Sequence, residues 1–378
     1  MRTINVNSVN NVHNVNNYIM PAYSPNLNQY DVKATDTHTC ETWLTSNKKF
    51  PKCAVIELST SSVKLLVNLD PVATVNEPFE FDHFFRKSER TDTGLLLSFD
   101  NMLNIQSFVE KVLPVIKEYE CLARTKHHVD VIYTVATAAY RTAGNKGEIL
   151  RLIKKETGLN VRILPKDEEA TATLWAYIFS THNKAKLMSF ENHILLDQGA
   201  GSTEISLFKN RELVFSHSFG IGSILLKSLL FRKLSMNLEE AISDIQAFAT
   251  IKTQKELDSL EQLPTTFNKS FCLGVGKSIT EATGKSGNRN QHEKILTIET
   301  MKSRMESVKT KLCDKFSTVE ELKTAIDRKK DNYSQQLILC LALPVVISIL
   351  EKFHIQELTV NGTGLFYGVF FEKFFNLN

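Results

Sequence analysis

Two short segments of the chain each place an acidic residue before a run of small residues. Glu57 ends an apolar run and precedes the small polar residues 59–62, and Asp197 ends a second apolar run and precedes the glycine-rich residues 199–203. Small residues allow backbone amides to approach an anion closely, and the carboxylate can hold a cation or a water molecule. One such segment would be explained equally well as an ordinary turn. Two of them favour a shared role in binding phosphoryl groups.

Each segment lies where the pattern predicts that one strand turns into the next. Short apolar runs predict strands, in chain order, over 52–58, 63–67, 129–135, 161–164, 194–196, 205–208, 212–216, 270–273 and 357–360. Apolar residues at helical spacing predict helices over 102–122, 146–157, 166–179, 222–231, 236–250, 298–312, 318–328, 334–352 and from 365 onward. Asp167 is available as the N-cap of the third helix. Strands interleaved with helices predict an α/β fold with a mixed sheet in each half.

The length and composition predict two domains that follow an extension. A chain of 378 residues is too long for one compact core. Residues 1–48 are rich in asparagine and poor in large apolar side chains, which predicts a flexible extension. A connector near 182–192 divides the remainder into an N-terminal domain over 49–187 and a C-terminal domain over 188–378. We expect the last helix, about 365–378, to pack back on the first domain.

Charge and cysteine content argue against several classes of protein. A net charge of +3, from 45 basic and 42 acidic residues, indicates neither nucleic-acid binding nor an anionic membrane surface. The six cysteines show no C-x-x-C spacing, so we expect reduced thiols in a cytoplasmic protein. The apolar run 337–350 is too short to span a bilayer, which predicts a core helix and no membrane partner.

The two strand–acid–turn units, one in each half, resemble the actin-like ATPase superfold, a ribonuclease H-like fold. Further glycine turns follow the strands that lead to 274–276 and 361–364, in the order this superfold has. The resemblance implies two domains around a phosphate-binding cleft.

Five segments also resemble, in order, motifs of the exopolyphosphatase and guanosine pentaphosphate phosphohydrolase family. Residues 129–144 are similar to its A-T-x-A-x-R-x-A segment, and 156–170 to its G-x-x-x-x-I-x-S-G-x-E-E-A segment. The turn from Asp197 matches D-x-G-G-G-S-T-E. Residues 219–223 stand where L-G-x-x-x-L is expected, and 364–368 where G-L-R-E-G is expected. Actins, sugar kinases and heat-shock ATPases share the fold but lack the combination of A-T-x-A-x-R with E-E-A.

The resemblance implies a role for each matching residue. Glu169 matches the catalytic glutamate, a general base, and Arg141 would neutralise charge on the phosphate chain. Glu57, Asp197 and Glu204 match acidic positions that hold Mg²⁺ or another divalent cation. The phosphate-binding positions are Ser59, Thr60, Ser61, Gly199, Ala200, Gly201, Ser202 and Thr203. These roles suit phosphoryl transfer, which needs positioning and charge neutralisation. By itself, Glu169 could equally complement a helix dipole, and Arg141 could be a surface residue.

The chain departs from the family pattern mainly in the first loop. Glu57 and Ser59 stand where the family has aspartate and glycine, and Ser61 stands for its asparagine. The added methylene shifts the carboxylate, and we expect serine at position 59 to restrict backbone angles that glycine permits. Further departures are Ala200 for the middle glycine of the second loop, Pro165-Lys166 for S-G, and Phe366-Tyr367 for the arginine–glutamate pair.

Two functions of different classes follow. The first is a metal-dependent phosphohydrolase that releases terminal phosphate from inorganic polyphosphate or guanosine pentaphosphate. The second is a catalytically weak protein that binds polyphosphate or nucleotide as a sensor or partner-binding protein. An ATP-dependent kinase of the same superfold is disfavoured, because the paired glutamates are not a kinase feature. The family also makes a homodimer a candidate, which the sequence leaves open.

Overall fold

The computed structural model describes residues 52–69, 83–97, 100–181, 184–260, 270–284, 293–328 and 332–375, so the predicted extension over 1–48 lies outside the described residues. The strands are β1 Cys53–Leu58, β2 Ser62–Asn68, β3 Phe84–Arg90, β4 Val131–Ala136, β5 Val161–Ile163, β6 Asn192–Gln198, β7 Thr203–Lys209, β8 Glu212–Phe219, β9 Ser270–Val275, β10 Lys294–Thr297 and β11 Glu357–Val360. The α-helices are α1 Ile105–Lys111, α2 Leu113–Cys121, α3 Ala138–Thr142, α4 Lys146–Thr157, α5 Lys166–Ser180, α6 Lys184–Met188, α7 Ser223–Leu230, α8 Leu238–Asp258, α9 Lys277–Ala282, α10 Ile298–Cys313, α11 Val319–Asp327, α12 Tyr333–Lys352 and α13 Leu365–Phe375.

The two sheets follow one plan. In the first sheet the order is β3-β2-β1-β4-β5, with β1, β2 and β3 antiparallel and β4 and β5 parallel to β1. In the second the order is β10-β11-β9-β6-β7-β8, with β6, β7 and β8 antiparallel and β9 and β11 parallel to β6. Apart from β10, the second sheet repeats the first strand by strand. A mixed α/β sheet in each half is therefore confirmed.

Helices cover both faces of the first sheet. All six residues of β1 are buried, as expected for a central strand with helices on each side. Ile56 and Leu58 pack in one cluster with α1, α2 and α4, whereas Cys53 and Val55 pack on the opposite face with α5 and α13. This alternation follows from the two-residue repeat of a strand.

Helix α13 returns to the first domain from the end of the second. Phe370 and Phe371 are fully buried against the same cluster as β1 and α5. At Gly368 the helices are so close that a Cβ would overlap the carbonyl of Ala172. Glycine is therefore required at this contact, which ties the chain end to α5.

Helix α12 is the longest apolar element of the described chain. It has 20 residues, so it extends beyond the apolar run 337–350 and is long enough to cross a membrane by length and composition alone. The length of the run 337–350 alone therefore does not exclude a membrane span, whereas the predicted core helix agrees with the burial of α12. Within its most apolar window, 83% of the helix is buried in the protein, where it packs on α8 and α10 in the core of the second domain.

Several element predictions need correction. Pro165, not Asp167, occupies the N-cap of α5. The predicted helix over 102–122 is two helices, because Val112 caps both α1 and α2 and Pro114 stands in the first turn of α2. Patterning missed β3, β10 and the short helices α3, α6 and α9. Most of β3 is a partly or fully exposed edge strand, which carries a weak apolar signal.

Candidate functional site

The two loops that follow β1 and β6 form the same turn. The Ser59 N–H donates to the Ser62 carbonyl at 2.9 Å, and the Gly199 N–H donates to the Ser202 carbonyl at 2.9 Å. Glu57 and Asp197 each stand two residues before the start of this turn, so the loops are equivalent in the two domains. We call residues 59–62 loop 1 and residues 199–202 loop 2.

The loops meet across the boundary between the domains. A Cβ placed on Gly201 would lie 3.3 Å from Thr60 Cγ2, and one on Gly94 would overlap the same methyl group. Thr60 is therefore packed between its own domain and loop 2. The proximity brings together the small residues that the sequence predicts to bind phosphate.

Glycines outside loop 2 hold it in place. Gly276 has φ of 102°, and a Cβ there would overlap the carbonyl of Gln198, the residue directly before loop 2. Gly222 similarly leaves room for the Ala200 carbonyl, which accepts the Ile224 N–H at 2.9 Å. The hydroxyl of Thr203, predicted to bind phosphate, donates to the Ile221 carbonyl at 2.7 Å and is engaged inside the second domain.

Loop 1 does not need glycine at position 59. Ser59 does not adopt a positive φ, and its hydroxyl donates to the Ser62 carbonyl at 2.9 Å, reinforcing the turn. The expectation that serine restricts this backbone is therefore wrong. The Ser61 carbonyl accepts the N–H groups of Thr91 and Asp92, both at 3.0 Å, so the loop is held from its other side.

Helix α5 packs against both sheets, and its first turn lies on the side to which Glu57 and Asp197 project. Ala172 and Ala176 pack with β1, whereas Leu174 and Tyr177 pack with β6 and β9. Because Glu57 and Asp197 project on the same strand faces as these contacts, both carboxylates point toward the first turn of α5. Glu169 stands in that turn.

Glu169 and its neighbour Glu168 point in different directions. Arg141, on the short helix α3, donates from Nη1 to Glu169 Oε2 at 2.9 Å and to the Leu164 carbonyl at 2.5 Å. Glu168 instead pairs with the exposed Arg162 at 2.6 Å. The predicted catalytic pair is thus brought together, and Glu168 is a surface ion-pair residue.

The two hairpins differ in the residue that faces each acid. In β1–β2, Glu57 lies opposite Lys64, and Lys64 Nζ contacts Glu57 Oε1 at 2.7 Å. In β6–β7, Asp197 lies opposite Glu204, whose Oε1 accepts the Ser218 hydroxyl at 2.8 Å. The first acid is therefore neutralised within its own hairpin, and the second faces another acid.

Burial, together with neighbouring charges, sets the electrostatics of the site. Burial, together with the charges of Glu204 and Glu169, raises the pKa of Asp197 to about 8. Burial raises the pKa of Glu169 to about 7, an effect that the Arg141 charge opposes and the Glu204 charge reinforces. Burial also raises the pKa of Glu204. Asp197 and Glu169 therefore hold protons near neutral pH and influence each other's titration.

These groups line one small cavity. It has a volume of about 20 Å³, room for about one water molecule. The lining residues are Arg141, Lys166, Glu169, Ala170, Leu195, Asp197, Glu204 and Ser206. Four predicted site residues therefore surround a position where a single water can be held between a carboxylate and a guanidinium.

The donor set fits a divalent cation only in part. Within the described residues, no three His, Cys, Asp or Glu side chains converge closely enough to hold a metal by themselves. Asp197 and Glu204 nevertheless supply hard carboxylate oxygens whose raised pKa values a cation would lower. Mg²⁺ commonly takes one or two carboxylates and completes its coordination with water and substrate oxygens. The residues therefore fit Mg²⁺ that binds together with a phosphorylated substrate.

Sequence reasoning missed Lys64, Lys166 and Ser218. Lys64 could have been found, because a tight hairpin around loop 1 places position 64 opposite position 57. Its ammonium also lies 5.6 Å from the centre of the Phe366 ring, one of the departures near the chain end. Lys166 and Ser218 reach the site only through the packing of α5 and β8, which no local pattern indicates.

The fold is shared with solved structures. A member of the Ppx/GppA protein family from Aquifex aeolicus is 22% identical, with a TM-score of 0.60, over 87% of this chain and 99% of that one. An exopolyphosphatase from Cytophaga hutchinsonii is 16% identical, with a TM-score of 0.62, over 86% of this chain and 99% of that one. The predicted actin-like α/β fold class is confirmed.

Comparison of the amino-acid sequence with known proteins agrees with the structural comparison. A bifunctional 3-dehydroquinate synthase/phosphatase from Fusobacterium nucleatum is 26% identical over 236 residues, which cover 61% of this chain and 33% of the relative. The match thus spans a third of that relative's length. The model of the Ppx/GppA phosphatase family matches residues 73–376. With two equivalent loops, the Arg141–Glu169 pair and a family match over most of its length, the chain belongs to the Ppx/GppA phosphatase family.

Proposed function

We propose that the protein is a metal-assisted phosphohydrolase that releases terminal phosphate from inorganic polyphosphate or guanosine pentaphosphate. The observation that carries this proposal is the cavity for one water molecule between Arg141, Glu169, Asp197 and Glu204, beside two loops that face each other. A phosphohydrolase needs a held water, a base for its proton and compensation for phosphoryl charge.

In the proposed reaction, Glu169 accepts a proton from the water in the cavity as the water oxygen attacks the terminal phosphorus. The bond from that phosphorus to the bridging oxygen breaks, and the remaining phosphate chain leaves. A pKa of about 7 lets Glu169 both accept and release a proton near neutral pH. Arg141 orients Glu169 through its 2.9 Å contact and lies near the transferred group. Mg²⁺, held by Asp197 and Glu204 with substrate oxygens, would supply charge neutralisation.

A matched pair of glutamate substitutions tests the base. Glu169→Gln is expected to lower kcat for orthophosphate release by roughly 10²–10⁴-fold, because the amide cannot accept the proton. Glu168→Gln is expected to leave kcat within about twofold, since Glu168 contacts the exposed Arg162. Release of orthophosphate from polyphosphate and guanosine pentaphosphate is measured with Mg²⁺. Equal rates for Glu169→Gln and the parent protein would refute the role of Glu169.

One observation favours the second function, a catalytically weak binding protein. Glu57, the acidic residue that precedes loop 1, is already paired with Lys64, so its carboxylate is less available to bind a metal or a water molecule. Binding of polyphosphate with no orthophosphate release, with any divalent cation, would select this function over hydrolysis. Turnover that is lost in Glu169→Gln would exclude it.

A further inference from the structure

Two cations from different domains converge on one neutral hydroxyl. Arg90 ends β3 and donates from Nη1 to Ser334 Oγ at 3.3 Å, while Lys227, in the middle of α7, donates from Nζ to the same oxygen at 3.0 Å. Since both nitrogens contact one atom, they lie within about 6 Å of each other, a separation at which like charges repel. Ser334 carries no charge to offset them.

The carboxylates nearby compensate this pair incompletely. Asp92 contacts Arg90 Nε at 2.8 Å, on the side of the guanidinium away from Nη1, and so orients it. Within the described residues, no carboxylate lies within 4.0 Å of Lys227 Nζ, although Asp92 and Asp327 act on it from further away. Burial and the Arg90 charge lower the pKa of Lys227, so a bound anion would favour its charged form.

Each cation stands on an element that contacts one of the two loops. Arg90 pairs with Ser62 in the ladder between β2 and β3, at the end of loop 1. The first residue of α7, Ser223, donates its N–H to the Gly199 carbonyl of loop 2, and Lys227 stands one helical turn further on. Arg90 and Lys227 therefore lie next to loop 1 and loop 2, with one cation contributed by each domain.

The pair also lies on the flank opposite the catalytic groups. Arg141 and Glu169 follow β4 and β5, on one side of β1, whereas Arg90 ends β3 on the other side. A phosphate chain whose terminal unit lies at Glu169 and whose next units lie between the loops would continue toward Arg90 and Lys227. A guanidinium and an ammonium are the groups that proteins use to bind phosphoryl oxygens.

We propose that Arg90 and Lys227 form a distal subsite for the phosphoryl units of a polyphosphate chain that lie beyond those held by loops 1 and 2. This inference deepens the proposed function and rests on it, since it selects an extended inorganic polyphosphate chain as the ligand. When the subsite is empty, Ser334 Oγ accepts hydrogen bonds from Arg90 and Lys227. When polyphosphate binds, its phosphoryl oxygens replace Ser334 as the acceptor.

The test compares ligand lengths at equilibrium. Dissociation constants for long-chain polyphosphate and for tripolyphosphate are measured without divalent cation, for the parent protein and for Arg90→Met, Lys227→Met and the double variant. The matched controls are Arg124→Met and Lys233→Met, which remove the same charges from surface pairs with Glu120 and Asp244. Lys227→Arg keeps the charge, and circular dichroism and melting confirm folding.

The double variant is expected to weaken long-chain binding by about 10-fold or more, and tripolyphosphate binding by less than about twofold. The controls should change both by less than about twofold, and Lys227→Arg should retain long-chain binding. Equal losses for both lengths, or no loss for long chains, would overturn the subsite.

The outcomes also separate this inference from the proposed function. Selective loss of long-chain binding in a protein that releases no orthophosphate would support the subsite and reject the hydrolase. Hydrolysis that depends on Glu169 but is unchanged by Arg90→Met and Lys227→Met, with the same KM for long chains, would support the hydrolase and reject the subsite.

Discussion

The hairpin β1–β2 in the first domain and the hairpin β6–β7 in the second share a turn and an acidic position. They differ in the residue across the ladder, which is Lys64 opposite Glu57 in one and Glu204 opposite Asp197 in the other. The first hairpin carries its own counterion at 2.7 Å, whereas in the second burial and the charge of Glu204 raise the pKa of Asp197. Two nearly equivalent backbones thus present different charges to the same cleft.

The two hairpins share their backbone structure but differ in their charged side chains. Sheet order and the turn hydrogen bond are the same in both halves, so the backbone alone does not decide which half acts on substrate. The cross-strand partners differ in charge, and opposite charges facing each other stabilise a hairpin whereas like charges destabilise it. We infer that the first hairpin contributes mainly structure and that the second contributes the reactive carboxylates.

The largest expected difference is in catalysis. Asp197→Asn is expected to lower kcat for phosphate release by about 10³-fold, because it removes a carboxylate beside the reacting phosphoryl group. Glu57→Gln should lower kcat by only about 10-fold, since Lys64 already neutralises Glu57. Steady-state kinetics with polyphosphate and Mg²⁺ measure both. Equal losses would show that the two hairpins contribute equally.

The next prediction concerns what holds the second loop. Gly276→Ala is expected to destabilise the protein by about 2–4 kcal/mol, because alanine is strained at this positive φ and its Cβ would overlap the Gln198 carbonyl. Gly147→Ala is the matched control, since its site on α4 is open, and it should be neutral or slightly stabilising. Urea unfolding measures both, and an unaffected Gly276→Ala protein would contradict the supporting role.

The coupled carboxyls predict a pH dependence of stability. Asp197 and Glu169 have pKa values of about 8 and 7 in the folded protein, above the values near 4 expected for the unfolded chain. The folded state therefore binds more protons between about pH 4 and pH 8, so this stabilisation is complete below pH 4 and is lost as the pH rises through 7 to 8. Asp197→Asn should flatten the fall in the melting temperature from pH 5 to pH 9. If the melting temperature of Asp197→Asn falls with pH as steeply as that of the parent protein, Asp197 does not have the raised pKa.

The smallest effect is expected at the departure that looks most serious in the sequence. Ser59→Gly restores the family residue, but it removes a hydroxyl that reinforces the turn and adds unfolded-state freedom. We expect a loss of about 0.5–1 kcal/mol in unfolding free energy and no gain in kcat. A clear rise in kcat would show that serine does restrain loop 1.

Local patterns predicted the elements that carry the loops because strand and turn signals coincide there. The hairpin around 59–62, helix α4 ending at Gly158 and the long apolar helix α12 were all indicated by spacing and turn residues. Arg141 and Glu169 were matched through motifs, and the structure brings them to 2.9 Å. The edge strand β3 was missed because it buries little apolar surface, although Arg90 at its end lies in the proposed subsite.

The sequence by itself determined the two strand–acid–turn units and the residue types that could bind phosphate. Those features depend on two-residue periodicity and on small residues, which act over a few positions. The tertiary structure alone decided that Lys64 pairs with Glu57 while Glu204 faces Asp197, and that α5 lies between both sheets. These contacts join residues far apart in the chain, and their energies depend on burial and on neighbouring charge, which only packing fixes.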